Sequence, residues 1–444
     1  MSDRARFTTK MGAIAASVGS AVGLGNIWRF PYEAGENGGG AFILIYLACV
    51  LLMGIPVIVA EFVVGRATHR NVNGALKQLA PGSRTHWFAY IGIIASLMIL
   101  SFYSVVCGWI VEYLILAVSG GLSGHTPEEY GVMFASFSSH PWRPMLWTVL
   151  FLLLNHLVLR RGLKRGIERI SNMMMPVLFV ILLIFCIHSL MMPGAGEGLR
   201  FMFAPRLSDV SATVAVKAMG QAFFSLSLGL SCLLTYASYF KDSDSLVRNA
   251  TVIAFLDTLV AVLAGLMIFP AVFSYGMTPE AGPKLIFEVL PVIFQQMHFG
   301  IVWAVLLFLL LFVASITSTI SMSEISIAFF EEEHGLSRDK ATAVSTVIAL
   351  VLGSLCALSF GPLSGVTVCG MTLFSLFDYV SSNLLLPAGG IFFSVFVGWM
   401  LEQRLVEDEL TNRGTLNVRT MRVLLFCMRY VAPLAIAVVF FSLI

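Results

Sequence analysis

The chain is predicted to be an all-α membrane protein of about eleven transmembrane helices, and three observations carry that expectation. Of its 444 residues, 58% are hydrophobic and only 12% are charged, against about 25% charged in a typical soluble domain. Mean hydropathy is +0.89. Apolar stretches recur from one end to the other, each long enough to cross a hydrocarbon core of about 30 Å as a helix.

Taken in order, spans are expected near 11–37, 41–66, 87–118, 145–160, 169–190, 213–240, 247–275, 299–330, 340–358, 367–400 and 420–443. The tail before the first is polar as far as Lys10, and the apolar segment after it lacks a small-residue cleavage pattern, so it is expected to remain as a span. Lysine and arginine collect in alternate connections: Arg4, Arg6 and Lys10, then Arg66, Arg70, Lys77 and Arg84, then Arg160, Arg161, Lys164, Arg165 and Arg169. Basic loops stay cytoplasmic. A multi-pass protein of the cell (inner) membrane follows, with its N-terminus cytoplasmic and its C-terminus outside. The loops at 119–144, 191–212 and 276–298 would face outward, and PEAGPKLIFEVLP (279–291) reads as a short amphipathic or re-entrant cap.

The seven cysteines lie in or beside apolar stretches with no CxxC pair. They read as small core residues, not as a disulfide framework or metal site. The eight histidines are scattered through loops and span ends. No nucleophile, base or metal cluster forms at one depth, so an enzyme is not expected and no catalytic residue is assigned. Net charge is +2, and the expected partners are a small solute, an ion and the lipid bilayer, without nucleic acid, on a monomer or weak dimer.

Two spans are interrupted. The first carries Gly19-Ser20-Ala21-Val22-Gly23-Leu24-Gly25-Asn26, and the sixth, five helices later, carries Ser225-Leu226-Ser227-Leu228-Gly229-Leu230-Ser231. Broken helices at matching positions of two halves point to the midplane binding site of an inverted-repeat transporter. On this reading residues 1–444 form one domain, with a first repeat at 11–190, a second at 213–400 and an additional helix at 420–443. Glycines alone are also compatible with close helix packing.

Polar residues inside the spans add weight. Backbone unwound in lipid must be satisfied by protein, water or an ion, and Asn26 and Ser225 can supply oxygens. Asp257 sits in VIAFLDTLVAVLAG, where a central carboxylate costs about 2.5 to 3.5 kcal/mol and needs a partner or a purpose. In the eighth span Ala314-Ser315-Ile316-Thr317-Ser318-Thr319 puts hydroxyls on consecutive positions. Such hydroxyls usually bond back to their own helix, but two of them facing a broken helix could complete an oxygen cage for a hard cation.

These segments resemble the neurotransmitter:sodium symporters, in particular their bacterial amino-acid members. The resemblance covers nearly the whole chain and is most specific in GSAVGLGNIWRFPYEAGENGGGAF (19–42), GQAFFSLSLG (220–229), ASITSTIS (314–321) and the Gly166 to Pro176 spacing. It implies sodium-coupled symport of a neutral hydrophobic or aromatic L-amino acid by alternating access. By that resemblance a first sodium ion would take the Ala21 carbonyl, Asn26, Ser225 and Asp257, with the substrate carboxylate completing its shell. A second would take the carbonyls of Gly19, Val22 and Ala314 with the hydroxyls of Thr317 and Ser318. The substrate carboxylate would also meet the N–H groups of Leu24 and Gly25, where the helix dipole favours an anion, and the hydroxyl of Tyr103. Its ammonium would face Ser20, Ala21, Phe224 and Ser227, and its side chain Ile99, Phe224, Leu230, Ser318 and Met322. That lining holds no charge and suits an apolar side chain. Leu230 stands where a bacterial relative carries an aromatic, and Ser231 where it carries glycine, so substrate size does not follow.

The resemblance also implies gates. Outside, Arg29 would pair with Asp378 when the vestibule closes, with Phe224 beneath as a lid; inside, Arg4 and Phe7 would be held against Glu332 and Tyr239. Gly166 and Pro176 would let the fifth helix unwind so that water reaches the second ion. Chloride-dependent relatives usually place asparagine at the position of Asp257 and serine at that of Ala261, with Tyr46, Gln221 and Ser225 completing an anion site. Asp257 can supply that negative charge itself, so chloride is not required; emptied of sodium, it could instead accept a proton and carry antiport. An amino-acid-sensing receptor or an uncoupled ion channel on the same fold is the alternative reading.

Overall fold

The computed structural model describes residues 6–277, 285–417 and 419–443. Within them, eight helices are long and apolar enough to cross a membrane, and two bent pairs raise that number to ten. The sixth expected span completes the set of eleven as two shorter pieces, Ala212–Ser225 and Cys232–Ala237. Apolar side chains such as Phe255, Val347 and Phe441 stand exposed on the outer surface, as a lipid environment permits and water does not. The third span, Arg84–Val118, and the eighth, Gly300–His334, pack against each other more extensively than any other pair. The eighth also packs against Lys10–Ala21 and Cys232–Ala237, one piece of each broken span.

The first span runs Lys10–Ala21, breaks, and resumes at Gly25–Glu36 with a 52° bend. Its break is shorter than the sequence suggested. Gly19, Ser20 and Ala21 remain helical, with Gly19 packed on Thr317, and the chain leaves the helix only at Val22, which is extended at φ −68°, ψ 116°. In the sixth span the break at 226–231 is deeper: Ser227, Gly229 and Ser231 are all left-handed, at φ 53°, 79° and 67°. Such a conformation costs a non-glycine residue roughly 1–3 kcal/mol and persists only where surrounding structure enforces it. Glu61 of the second span, Gly40–Thr68, supplies the enforcement. Its fully buried carboxylate accepts from the N–H of Gly229 at 2.7 Å and of Leu234 at 3.2 Å.

Two boundaries differ from expectation. The tenth span starts at Leu373, not 367, because Thr367–Val368 and Met371–Thr372 pair as a hairpin across Cys369 and Gly370, both with positive φ, as a two-residue turn requires. The expected cap is helical over Leu285–Gln296, while 278–284 fall outside the described residues. A further helix, Gln403–Thr411, joins the last two spans and is tied to the second by the Arg66 guanidinium, which donates to Glu409 and to Asn412.

Candidate functional site

Ser318 stands at the junction of the first break and the eighth span. Its hydroxyl lies 3.1 Å from the Val22 carbonyl, 3.4 Å from that of Gly19 and 3.2 Å from that of Ala314. Thr317 Oγ1 is 3.0 Å from the same Ala314 oxygen. A Cβ on Gly19 would come within 3.2 Å of Thr317, so glycine is what lets the two helices approach. Five oxygens, none of them charged, thus converge where the first helix ends; this donor set fits a hard monovalent cation.

The second cluster lies on the other side of the break. Asn26 Nδ2 donates to Ser225 Oγ at 2.9 Å, to Asp257 Oδ1 at 2.8 Å and to the Asp257 carbonyl at 3.0 Å. Ser225 Oγ donates to Asp257 Oδ2 at 2.8 Å, and Asn26 Oδ1 accepts from the Gly23 N–H at 3.0 Å. Asn26 and Asp257 are fully buried and Ser225 nearly so. Three spans therefore meet through one carboxylate that is completely hydrogen-bonded, which answers the cost of placing it in the bundle.

Between the clusters lies a small cavity. Ser20, Ala21 and Gly25 line it from the first span, Ile99 and Tyr103 from the third, Phe224, Ser225, Ser227 and Leu230 from the sixth, and Ser318 and Met322 from the eighth. Gly23 and Leu386 also line it and were not anticipated. Leu24 contributes backbone instead of a side chain: its N–H donates to Tyr103 Oη at 3.0 Å. A Cβ on Gly23 would stand 2.7 Å from Ser318 Oγ and 2.9 Å from Tyr103 Oη. The glycine keeps this turn open to the cavity, and no carboxylate, lysine, arginine or histidine lines the space.

A model of the sodium:neurotransmitter symporter family matches residues 4–129 and 139–444. The chain belongs to this family. It is similar to an uncharacterized sodium-dependent transporter, YhdH, of Bacillus subtilis, with 39% identity covering 99% of this chain and 97% of the relative. An uncharacterized sodium-dependent transporter of Haemophilus influenzae is 33% identical, covering 99% and 98%. Among solved structures, that of MhsT in complex with L-phenylalanine superposes with a TM-score of 0.91 at 39% identity, covering all of both chains. As a member of the symporter family the chain is a multi-pass membrane transporter and not an enzyme.

Arg29 and Asp378, expected as the outer gate, are not brought together in this conformation. The Arg29 guanidinium lies 4.3 Å over the Phe224 ring and its Nε is 3.6 Å from Glu33, one turn on along the same helix. Asp378 accepts instead from Ser382 at 2.9 Å. Arg29 thus takes the nearest carboxylate and the aromatic face beneath it, both of which reward a cation.

Of the residues expected as the inner gate, Phe7 is buried against Tyr236 and Tyr239, with ring centroids 5.9 and 6.0 Å away, and its N–H donates to the Tyr239 carbonyl at 3.2 Å. Tyr239 Oη donates to Glu324 at 2.7 Å, and Glu332 accepts from the N–H and side chain of Asn71 at 2.8 and 2.9 Å. Arg4 lies outside the described residues. The expected unwinding of the fifth helix is not taken: a wide turn over Leu163–Glu168 leads directly into Arg169–Leu190 with Pro176 inside it. Glu168, at that junction, accepts from the N–H groups of Thr8 and Thr9 at 3.0 and 3.2 Å. The foot of the first span is therefore docked on the start of the fifth. Nearby, outside the spans, burial acts to raise the Asp242 carboxyl, but the His69 ring at 3.0 Å and Arg6 at 3.9 Å hold it below the usual range.

Several buried acids escaped the sequence reading, three of them next to the elements described above. Glu61, Glu168 and Glu324 are buried, and Glu324 is tied to Arg338 at 2.6 Å. Glu61 and Glu324 lie in GIPVIVAEFVVG and TISMSEISIAFF. Each is a carboxylate among apolar residues and carries the same insertion cost as Asp257.

Proposed function

We propose that this chain is a sodium-coupled symporter of neutral hydrophobic or aromatic L-amino acids, working by alternating access in the cell (inner) membrane with a cytoplasmic N-terminus and an outer C-terminus. The observation that carries the reading is one uncharged cavity flanked by two oxygen clusters, with the Leu24 N–H of the first break donating to Tyr103 on its wall. MhsT, of which a complex with L-phenylalanine is known, supports the same substrate class.

The ion sites are proposed at Ala21, Asn26, Ser225 and Asp257, and at Gly19, Val22, Ala314, Thr317 and Ser318. At the first, the Asn26 amide now offers nitrogen to Asp257 and oxygen to Gly23. Sodium entry would turn the amide so that its oxygen joins those of Asp257 and Ser225. The substrate carboxylate would then complete the shell, which makes each ligand raise the affinity for the other by the same factor. At the carboxylate position the Tyr103 hydroxyl, which now accepts from Leu24, would donate to the substrate instead.

Independence from chloride rests on the Ser225 hydroxyl. It donates to Asp257 at 2.8 Å, so the donor that a chloride ion would use is already engaged by a fixed carboxylate. Proton antiport through Asp257 is the natural extension, since the same group must be neutralised when sodium leaves. For transport, residues 11–190 and 213–400 would act as the two repeats, with the first, second, sixth and seventh spans rocking against the rest.

Uptake of labelled L-phenylalanine into proteoliposomes tests the core of the reading. Accumulation driven by an inward sodium gradient and abolished in potassium is expected. Saturable binding without accumulation would overturn symport in favour of a sensor, and a sodium current indifferent to amino acid would overturn it in favour of a channel.

A further inference from the structure

The tenth span reaches the solute cavity at one residue, Leu386. Its helix first passes through a widened turn at Val380–Leu385, where the extra residue rotates the face that follows. It then continues as Leu386–Val395, with Pro387 in the first turn. Two consecutive glycines, Gly389 and Gly390, seat this helix directly on the break of the sixth span. A Cβ on Gly389 would collide with the Gly229 carbonyl, and one on Gly390 with the Phe223 ring. Reciprocally, a Cβ on Gly229 would collide with the Leu386 carbonyl and stand 2.5 Å from the Gly390 nitrogen. The contact is backbone against backbone.

That seating leaves Leu386 without room to withdraw. It is 2% exposed and lines the cavity. Leu230, the residue after Gly229, lines the same cavity and is equally buried. Its own carbonyl is backed by the third span, where a Cβ on Gly92 would come within 3.1 Å of it. Both leucines are therefore fixed through main chain and not through flexible neighbours. A wall of this kind selects by volume, since close-packed interiors do not yield a methylene without cost.

We propose that Leu386 and Leu230 together form the wall that limits the size of the side chain this transporter accepts, with Leu386 the determinant contributed from outside the two broken helices. The inference rests on the amino-acid reading above. Shortening Leu386 should open the site to the largest aromatic side chains, and enlarging it should exclude them while smaller aliphatic ones still fit.

The test is competition binding on purified wild type and variants, with leucine, phenylalanine and tryptophan displacing one labelled amino acid in saturating sodium. A change of this size in a hydrophobic pocket is worth roughly 10- to 200-fold in discrimination. The Leu386→Ala variant should therefore raise the tryptophan-to-leucine affinity ratio about tenfold or more, and Leu386→Phe should lower it in the same degree. The ratio separates a wall from a merely structural residue, whose loss would weaken all three ligands alike. An unchanged ratio in either variant that still binds would overturn the inference while leaving the transporter reading intact. Failure of wild type to bind any of the three in sodium would overturn both.

Discussion

The amide of Asn26 and the carboxylate of Asp257 meet at 2.8 Å although 231 positions separate them in the chain. With Ser225 they tie the first, sixth and seventh spans at one fully buried point, beside the cavity. A substitution there should register in ion affinity before it registers in folding. Asn26→Ala is expected to raise the sodium concentration for half-maximal binding at least tenfold, about 1.4 kcal/mol, while leaving expression near wild type. Wild-type sodium dependence in that variant would remove the first ion site.

The cluster around Ser318 makes a separate prediction. Thr317→Ala deletes the hydroxyl beside the Ala314 carbonyl, and Ser318→Ala deletes the one beside the carbonyls of Gly19, Val22 and Ala314. Each should weaken sodium-dependent substrate binding by tenfold or more, with potassium unable to compensate. Scintillation-proximity binding across a sodium titration reads this directly, and equal loss at saturating sodium would point to damage instead of ion affinity.

Anion dependence should follow Asp257. Replacing chloride by gluconate is expected to leave wild-type uptake unchanged. Asp257→Asn should lose most uptake, and Asp257→Asn combined with Ala261→Ser should recover part of it only in chloride. Collapse of wild-type uptake in gluconate would end the idea that a fixed carboxylate stands in for the anion.

Proton coupling has its own readout. An inside-acid gradient should stimulate sodium-driven uptake by wild type and have no effect on Asp257→Asn, measured in proteoliposomes with the membrane potential clamped. Equal stimulation of both proteins would assign any proton movement to another group.

Glu61 predicts a stability effect. Its carboxylate accepts the N–H groups of Gly229 and Leu234 with no exposure to solvent. Glu61→Ala would leave both donors unpaired, at roughly 1–3 kcal/mol each. A clearly lower melting temperature in detergent is expected, with Glu61→Gln intermediate because one amide oxygen can still accept. Wild-type melting of Glu61→Ala would show that the left-handed residues of the break are held by something else.

Polar groups are what made this protein legible from its residues. Asn26, Asp257, Thr317 and Ser318 stand out because burying them in an apolar helix is costly, so their presence alone demands a partner or an ion. The same cost marked Glu61 and Glu324, and only the choice of motifs passed them by. Apolar residues send no such signal: Leu386 is one leucine among many, and nothing local tells a lipid-facing leucine from one that walls a cavity. The partner of Arg29 was likewise undetermined, because Glu33 and Asp378 are equally acidic and only the spacing of helices in a given conformation selects between them. The extent of each break belonged to the fold as well. Gly19 to Ala21 could be helical or unwound by their own preferences, and it is the packing of Gly19 on Thr317 and the grip of Glu61 on Gly229 that decide where each helix stops.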